Sequence, residues 1–163
     1  MWGTENSGPK AAQKESFAGR AAVICDREDS EQDALALVEN IAKNLEMHLI
    51  YMNADAHDVH TAYISHISHI TSYALANTVL EKEREEDTIF QLASSGFSST
   101  VRLAKSHPEM WVPIFKQNKE NVLDVLNEHI TQLRKFKSAL EKENFELLEE
   151  LIKNANKIRG ILK

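Results

Sequence analysis

Residues 21–52 read AAVICDREDSEQDALALVENIAKNLEMHLIYM, and this stretch decides the fold. It opens on a short apolar run, Ala21-Ala22-Val23-Ile24-Cys25, readable as a buried strand. From Glu31 to about Leu45 the spacing turns helical, with Ala34, Leu35, Leu37, Val38, Ile41, Ala42 and Leu45 in phase. Asp29 or Ser30 is placed to cap that helix. A second strand follows at His48-Leu49-Ile50-Tyr51-Met52. Strand, helix, strand implies a parallel pair with a right-handed crossover. Two parallel strands alone make no stable sheet, and parallel sheets are covered on both faces. The expectation is therefore a βαβ remnant of a larger, Rossmann-type sheet, completed outside this chain or by a partner.

Outward from this unit the chain changes character. Gly3, Gly8, Pro9 and Gly19 punctuate an irregular start. From Asp55 onward every pattern is helical. One long helix is expected over about Ala56 to Lys82, with Val59, Tyr63, Ile67, Ile70, Ala74, Leu75 and Val79 on its buried face. A shorter helix should run from Thr88 to about Ser94, stopped by Gly96. Ser98 or Ser99 could cap another, through Val101, Leu103 and Ala104. Pro108 suits the first position of the next, which holds Met110, Trp111, Ile114 and Phe115. Two strongly periodic helices end the chain: Leu123, Leu126, Ile130, Leu133 and Leu140 form a near-heptad stripe, and Leu148, Leu151, Ala155, Ile158 and Leu162 form another. Asn144 should begin the last helix and Gly160 lies near its end. The fold class is mainly α: residues 1–55 carry the βαβ remnant, and residues 56–163 a helical bundle. Such long stripes exceed what one small bundle buries, so a homodimer through the helices is expected.

Composition narrows the function classes. The chain has 163 residues, 42% of them hydrophobic, which permits a buried core and excludes wholesale disorder. No apolar run nears the roughly 18 residues of a membrane span, and the start, Met1-Trp2-Gly3-Thr4, lacks the pattern of a signal peptide. A cytoplasmic location and no membrane partner are expected. One cysteine, Cys25, excludes an internal disulfide and a cysteine-based zinc cluster. The net charge of −6 argues against nucleic acid as a partner. The five glycines, Gly3, Gly8, Gly19, Gly96 and Gly160, form neither a dinucleotide fingerprint nor a P-loop.

Histidine is concentrated: His57, His60, His66 and His69 fall on one expected helix. His66 and His69 are three positions apart and share a face. Three readings stay open: polar residues flanking Ile67 and Ile70 at a bundle edge, two ligands of a metal, or imidazole donors in an anion or carbonyl pocket. The metal reading lacks further ligands at a characteristic spacing, and no metal is expected. Arg102 is either a solvated rim residue or a guanidinium set within the bundle to grip a carboxylate at two points. Trp111 reads as a core anchor, Cys25 as a packed strand residue, and Glu83, Glu85, Glu86 and Asp87 as a solvated face.

Read in order, these pieces form a longer pattern. It runs Gly3-Thr4-Glu5-Asn6-Ser7-Gly8, His57-Asp58, Ser65-His66-Ile67-Ser68-His69, Gly96 to Ala104 (GFSSTVRLA), Pro108-Glu109-Met110-Trp111 and Asn118-Lys119-Glu120-Asn121. The chain resembles, over nearly its whole length, the C-terminal portion of the prephenate/arogenate dehydrogenase family. The resemblance implies an NAD- or NADP-dependent oxidative decarboxylation of prephenate or arogenate in tyrosine biosynthesis, with the cofactor on an N-terminal domain and an all-helical domain forming the dimer and half the substrate cleft. It implies that Arg102 binds a substrate carboxylate and that His66 and His69 line the pocket as polar donors. Thr4 and Glu5 would stand at the cleft entrance, and Trp111 near the pocket or dimer seam. A dianionic substrate suits a fixed cation and several donors in a shielded cleft.

The departures carry equal weight. The family's catalytic histidine belongs to a His-Pro-Met type motif whose third residue aligns with Met1, so no residue here is assigned that role. The glycine fingerprint is missing too. The chain alone is therefore expected to bind no cofactor and to lack dehydrogenase activity. Ser98-Ser99 replaces a charged residue that many relatives carry before the arginine, leaving open the charge partner of Arg102. A non-enzymatic helical interaction module with structural histidines is the alternative reading.

Overall fold

The computed structural model describes residues 8–13, 16–84 and 88–161. Strand β1, Ala21–Cys25, pairs in parallel with β2, His48–Met52, in the register Ala21 to His48 and Cys25 to Met52. Helix α1, Gln32–Asn44, makes the crossover. It buries Leu35 and Ala42, while Leu37, Val38, Ile41 and Leu45 stay exposed. Val23, Ile50 and Tyr51 of the sheet are exposed as well, which is what a sheet of two strands leaves uncovered. Among the described residues no third strand joins. A 3-10 turn over Arg27–Asp29 takes the expected cap, so Glu31 stands at the helix start, with no side-chain cap bond.

The exit from the sheet is fixed by polar side chains. Asp26 sits in the left-handed region at φ 46°, a conformation Asp tolerates. Its carboxylate accepts from the Ala54 backbone N–H at 3.1 Å. Asn53 caps the same helix by accepting from the Ala56 N–H at 2.7 Å. These contacts aim α2, Ala54–Thr61, away from the strand ends.

The single long helix expected over Ala56–Lys82 is divided. After α2 comes a π-helical turn, Ala62–His66, and then α3, Ile67–Glu83. In the wide turn the Ile67 N–H reaches back to the Ala62 carbonyl. One residue is thereby added to the turn, and the phase of everything after it shifts. The face read from a regular period holds in part: Ile67, Ile70, Leu75 and Val79, after the turn, are half-buried. Val59 and Tyr63 are exposed, whereas Ala62, Ser65, His66, His69 and Ser72 are buried.

The expected helix over Thr88–Ser94 is only a 3-10 turn, Ile89–Leu92, whose Leu92 is exposed. Helix α4, Ser95–Thr100, begins before the serines expected to cap it, and Gly96 lies inside it instead of ending its predecessor. A 3-10 turn, Arg102–Lys105, carries the arginine. Helix α5, Pro108–Gln117, starts on its proline as expected. Two helices follow: α6, Lys119–Glu141, and α7, Phe145–Asn156, where Asn144 accepts from the Leu147 N–H at 3.0 Å.

Internal contacts divide the chain into Met1–Val122 and Leu123–Lys163. The first unit centres on Ala22, Leu35, Ala42, Ala62, Trp111 and Val122. In the second, Val125 and Ala139 are buried, while Leu123, Leu133, Leu140, Phe145, Ile152 and Ile158 are exposed. The class is mainly α, with a short parallel βαβ unit at its start.

Candidate functional site

The π turn and α3 bring His66 and His69 into the core of the first unit, at 8% and 3% exposure. Trp111, on α5, is buried between them. Its indole stacks on the His69 ring at 3.4 Å between centroids, tilted by 27°, and meets His66 edge-on at 6.0 Å. Phe115, one helical turn on, closes the far side, 5.5 Å from Trp111 and 6.3 Å from His66. The bundle-edge reading of the histidines does not hold, because they are inside. Aromatic edges and faces surround both rings, so burial disfavours the charged imidazolium. Both pKa values are lowered below the usual histidine value. For His66 burial is the chief cause, followed by His69; for His69 burial leads and the charge of Arg102 adds to it.

Arg102 lies within reach of His69 for its charge to act on that ring. The arginine is exposed, not enclosed as the bundle reading had it, because it sits on a short 3-10 turn at the surface. Ser72 pins this turn. Its hydroxyl, 1% exposed as a residue, donates to the Thr100 carbonyl at 3.1 Å and accepts from the Ala104 N–H at 3.1 Å. One small side chain on α3 therefore fixes the backbone on both sides of Arg102. Tyr73 adds a second tie through its hydroxyl, which donates to the Ser106 carbonyl at 3.2 Å.

Asn118, between α5 and α6, is buried and reaches back to the first helix of the site. Its amide nitrogen donates to the Asp58 carbonyl at 2.7 Å and lies 3.3 Å from His66 Nδ1. Neither Ser72 nor Asn118 was assigned a role from sequence, although Asn118 opens one of the motifs quoted above. Of the candidates that were, His66, His69 and Trp111 form one cluster, with Arg102 at its rim. Thr4 and Glu5 lie outside the described residues. Cys25 is half-buried, its thiol pushed up mainly by burial and further by Asp26 and Asp58, which suits packing and not nucleophilic attack. Among the described residues no group of three His, Cys, Asp or Glu could hold a metal, and no helix is long and apolar enough to cross a membrane.

An open apolar pocket of about 720 Å³ lies between the sheet and α2, lined by Val23, Ile50, Met52, His57, His60 and Ile64. The β1–α1 turn is no dinucleotide cradle. It has no glycine, and Asp26, Glu28, Asp29 and Glu31 would repel a pyrophosphate.

A parallel βαβ unit followed by helices is the order of a dehydrogenase family built from a nucleotide-binding domain and a dimerization domain. The chain belongs to the prephenate dehydrogenase family. Residues 1–51 match the family's nucleotide-binding domain and residues 53–154 its dimerization domain. It is 29% identical, over 98% of its length, to prephenate dehydrogenase of Bacillus subtilis, covering 43% of that protein. It is 29% identical, over 99% of its length, to cyclohexadienyl dehydrogenase of Zymomonas mobilis, covering 55% of that protein. Its structure resembles prephenate dehydrogenase from Aquifex aeolicus in complex with hydroxyphenyl propionate and NAD+, with a TM-score of 0.87 at 28% identity, covering 99% of this chain and 56% of that one. The chain thus spans about half the length of the relatives it matches.

Proposed function

We propose that this chain supplies the substrate-side and dimerisation part of a prephenate dehydrogenase. The whole enzyme would carry out NAD- or NADP-dependent oxidative decarboxylation of prephenate to 4-hydroxyphenylpyruvate in tyrosine biosynthesis, with arogenate as the other candidate substrate. A bound nicotinamide would supply the hydride acceptor; the contribution of these residues is to bind and orient. Arg102 offers two parallel N–H donors to a substrate carboxylate. Trp111 gives the ring an apolar wall, and the imidazoles fix polar substituents in a water-poor setting. Thr4 and Glu5 are assigned to the cleft entrance. The domain boundary is placed near residue 55, and the location is cytoplasmic. Having no phosphate cradle among its described residues, the chain alone is expected to bind no cofactor and to be inactive.

The observation that carries this reading is the buried His66–His69–Trp111 cluster on the helix whose Ser72 also holds the backbone on both sides of Arg102. The test is Arg102→Ala in the full-length enzyme. Loss of one charge-assisted contact is worth about 1.5–3 kcal/mol, so prephenate binding should weaken on the order of tenfold to a hundredfold. Unchanged affinity would refute the assignment. A second reading, a non-enzymatic helical interaction module, draws on the exposed apolar residues of Leu123–Lys163. It would be favoured by that same null result.

A further inference from the structure

His66 and His69 share a helix face, but their ring nitrogens meet different partners, and those partners decide where each proton sits. The Asp58 carbonyl can only accept. The atom of Asn118 that lies 2.7 Å from it is therefore the amide nitrogen. Asn118 Oδ1 is engaged by Asn121 Nδ2 at 2.8 Å, in keeping with that orientation. The second hydrogen of the Asn118 amide is left for His66 Nδ1, 3.3 Å away. That nitrogen must offer a lone pair, so the proton of a neutral His66 resides on Nε2. At His69 the logic is reversed. Its Nδ1 lies 3.0 Å from the Ser65 carbonyl, which again only accepts. Nδ1 must then carry the proton, and Nε2 keeps the lone pair.

We propose that Asn118 is a positioning residue which, together with the Ser65 carbonyl, holds His66 and His69 in opposite neutral tautomers, His66 as an Nε2–H donor and His69 as an Nε2 acceptor. This rests on the reading that both rings line the substrate pocket, and it refines that reading: only His66 is a donor. A carboxylate or carbonyl oxygen is the matching group for His66, and a hydroxyl or ammonium for His69. Neutral rings suit the arrangement, since burial lowers both pKa values. The Asn118 amide also spans 60 positions of sequence to reach Asp58, so the α5–α6 junction is what sets the ring chemistry of the π turn.

The test is nitrogen NMR of the 15N-labelled chain, at a pH well above the ordinary histidine value of about 6.5. Protonated and lone-pair ring nitrogens have well-separated shifts, and His66→Gln and His69→Gln spectra assign the two rings. The expected result is a lone-pair Nδ1 for His66 and a lone-pair Nε2 for His69. In Asn118→Asp the carboxylate can only accept, so the His66 proton should move to Nδ1 while His69 is unchanged. Two rings in the same tautomer would overturn the proposal. So would a folded Asn118→Asp protein with an unaltered His66 pattern. If that variant does not fold, the parent spectrum alone decides. No substrate is involved, so this outcome is independent of the Arg102 affinity test.

Discussion

Two buried rings kept neutral have a cost in acid. In the unfolded chain each histidine takes up a proton near pH 6.5; in the folded chain the pKa is lower, chiefly through burial. Between the two values the unfolded state holds more protons, so stability falls with falling pH. The contribution is complete above about pH 6.5 and is lost as pH drops toward the folded pKa values. Urea titrations at a series of pH values should show this slope, and His66→Gln should flatten it. An equal slope in parent and variant would contradict the attribution. The histidines were legible in sequence because they cluster and share a face. Ser72 and Asn118 were not, since their partners lie 28 and 60 positions away, and no local pattern announces a hydrogen bond across such a gap.

The strands and helix of the βαβ unit were readable because short apolar runs and helical spacing are local signals, and the pairing is parallel as expected. The π turn was invisible to the same method. A period of 3.6 residues presumes an unbroken helix, and one added residue in Ala62–His66 breaks the alignment between the residues before it and those after it, so the exposed Val59 and Tyr63 do not share the half-buried face of Ile67 and Ile70. The stretch from Thr88 to Ala104 failed differently: short segments carry too few periodic positions to separate a 3-10 turn from an α-helix. At the other end of the chain α6 closes on Glu143, a non-glycine residue at φ 51°. The bond from the Asn144 N–H to the Ala139 carbonyl, at 2.9 Å, requires that turn. Glu143→Gly should therefore raise stability by about 0.5–1 kcal/mol, read as a higher Tm. A lower Tm would show that the Glu side chain contributes more than its backbone strain costs.

The whole chain combines a sheet edge and a helical body, and the change near residue 55 was visible as a change in periodicity. Leu133 and Leu140, of the stripe expected to exceed what one bundle buries, are 55% and 56% exposed, while Val125 and Ala139 of the same helix are buried. A seam with its large residues outward is suited to a second copy, in keeping with the dimerization domain that residues 53–154 match. Sedimentation should find a dimer, and Leu133→Glu with Leu140→Glu should weaken it tenfold or more, since two charges would enter an apolar contact. Monomer at every concentration in the parent would remove the dimer from the proposal. Trp111 lies face to face with His69 at 3.4 Å, and an imidazolium in that position draws electrons from an excited indole where a neutral ring does not. The Trp111 share of the indole emission, over that of Trp2, therefore responds first to the charge on His69 and second to that on His66, giving the protein an intrinsic optical gauge of its own proton occupancy.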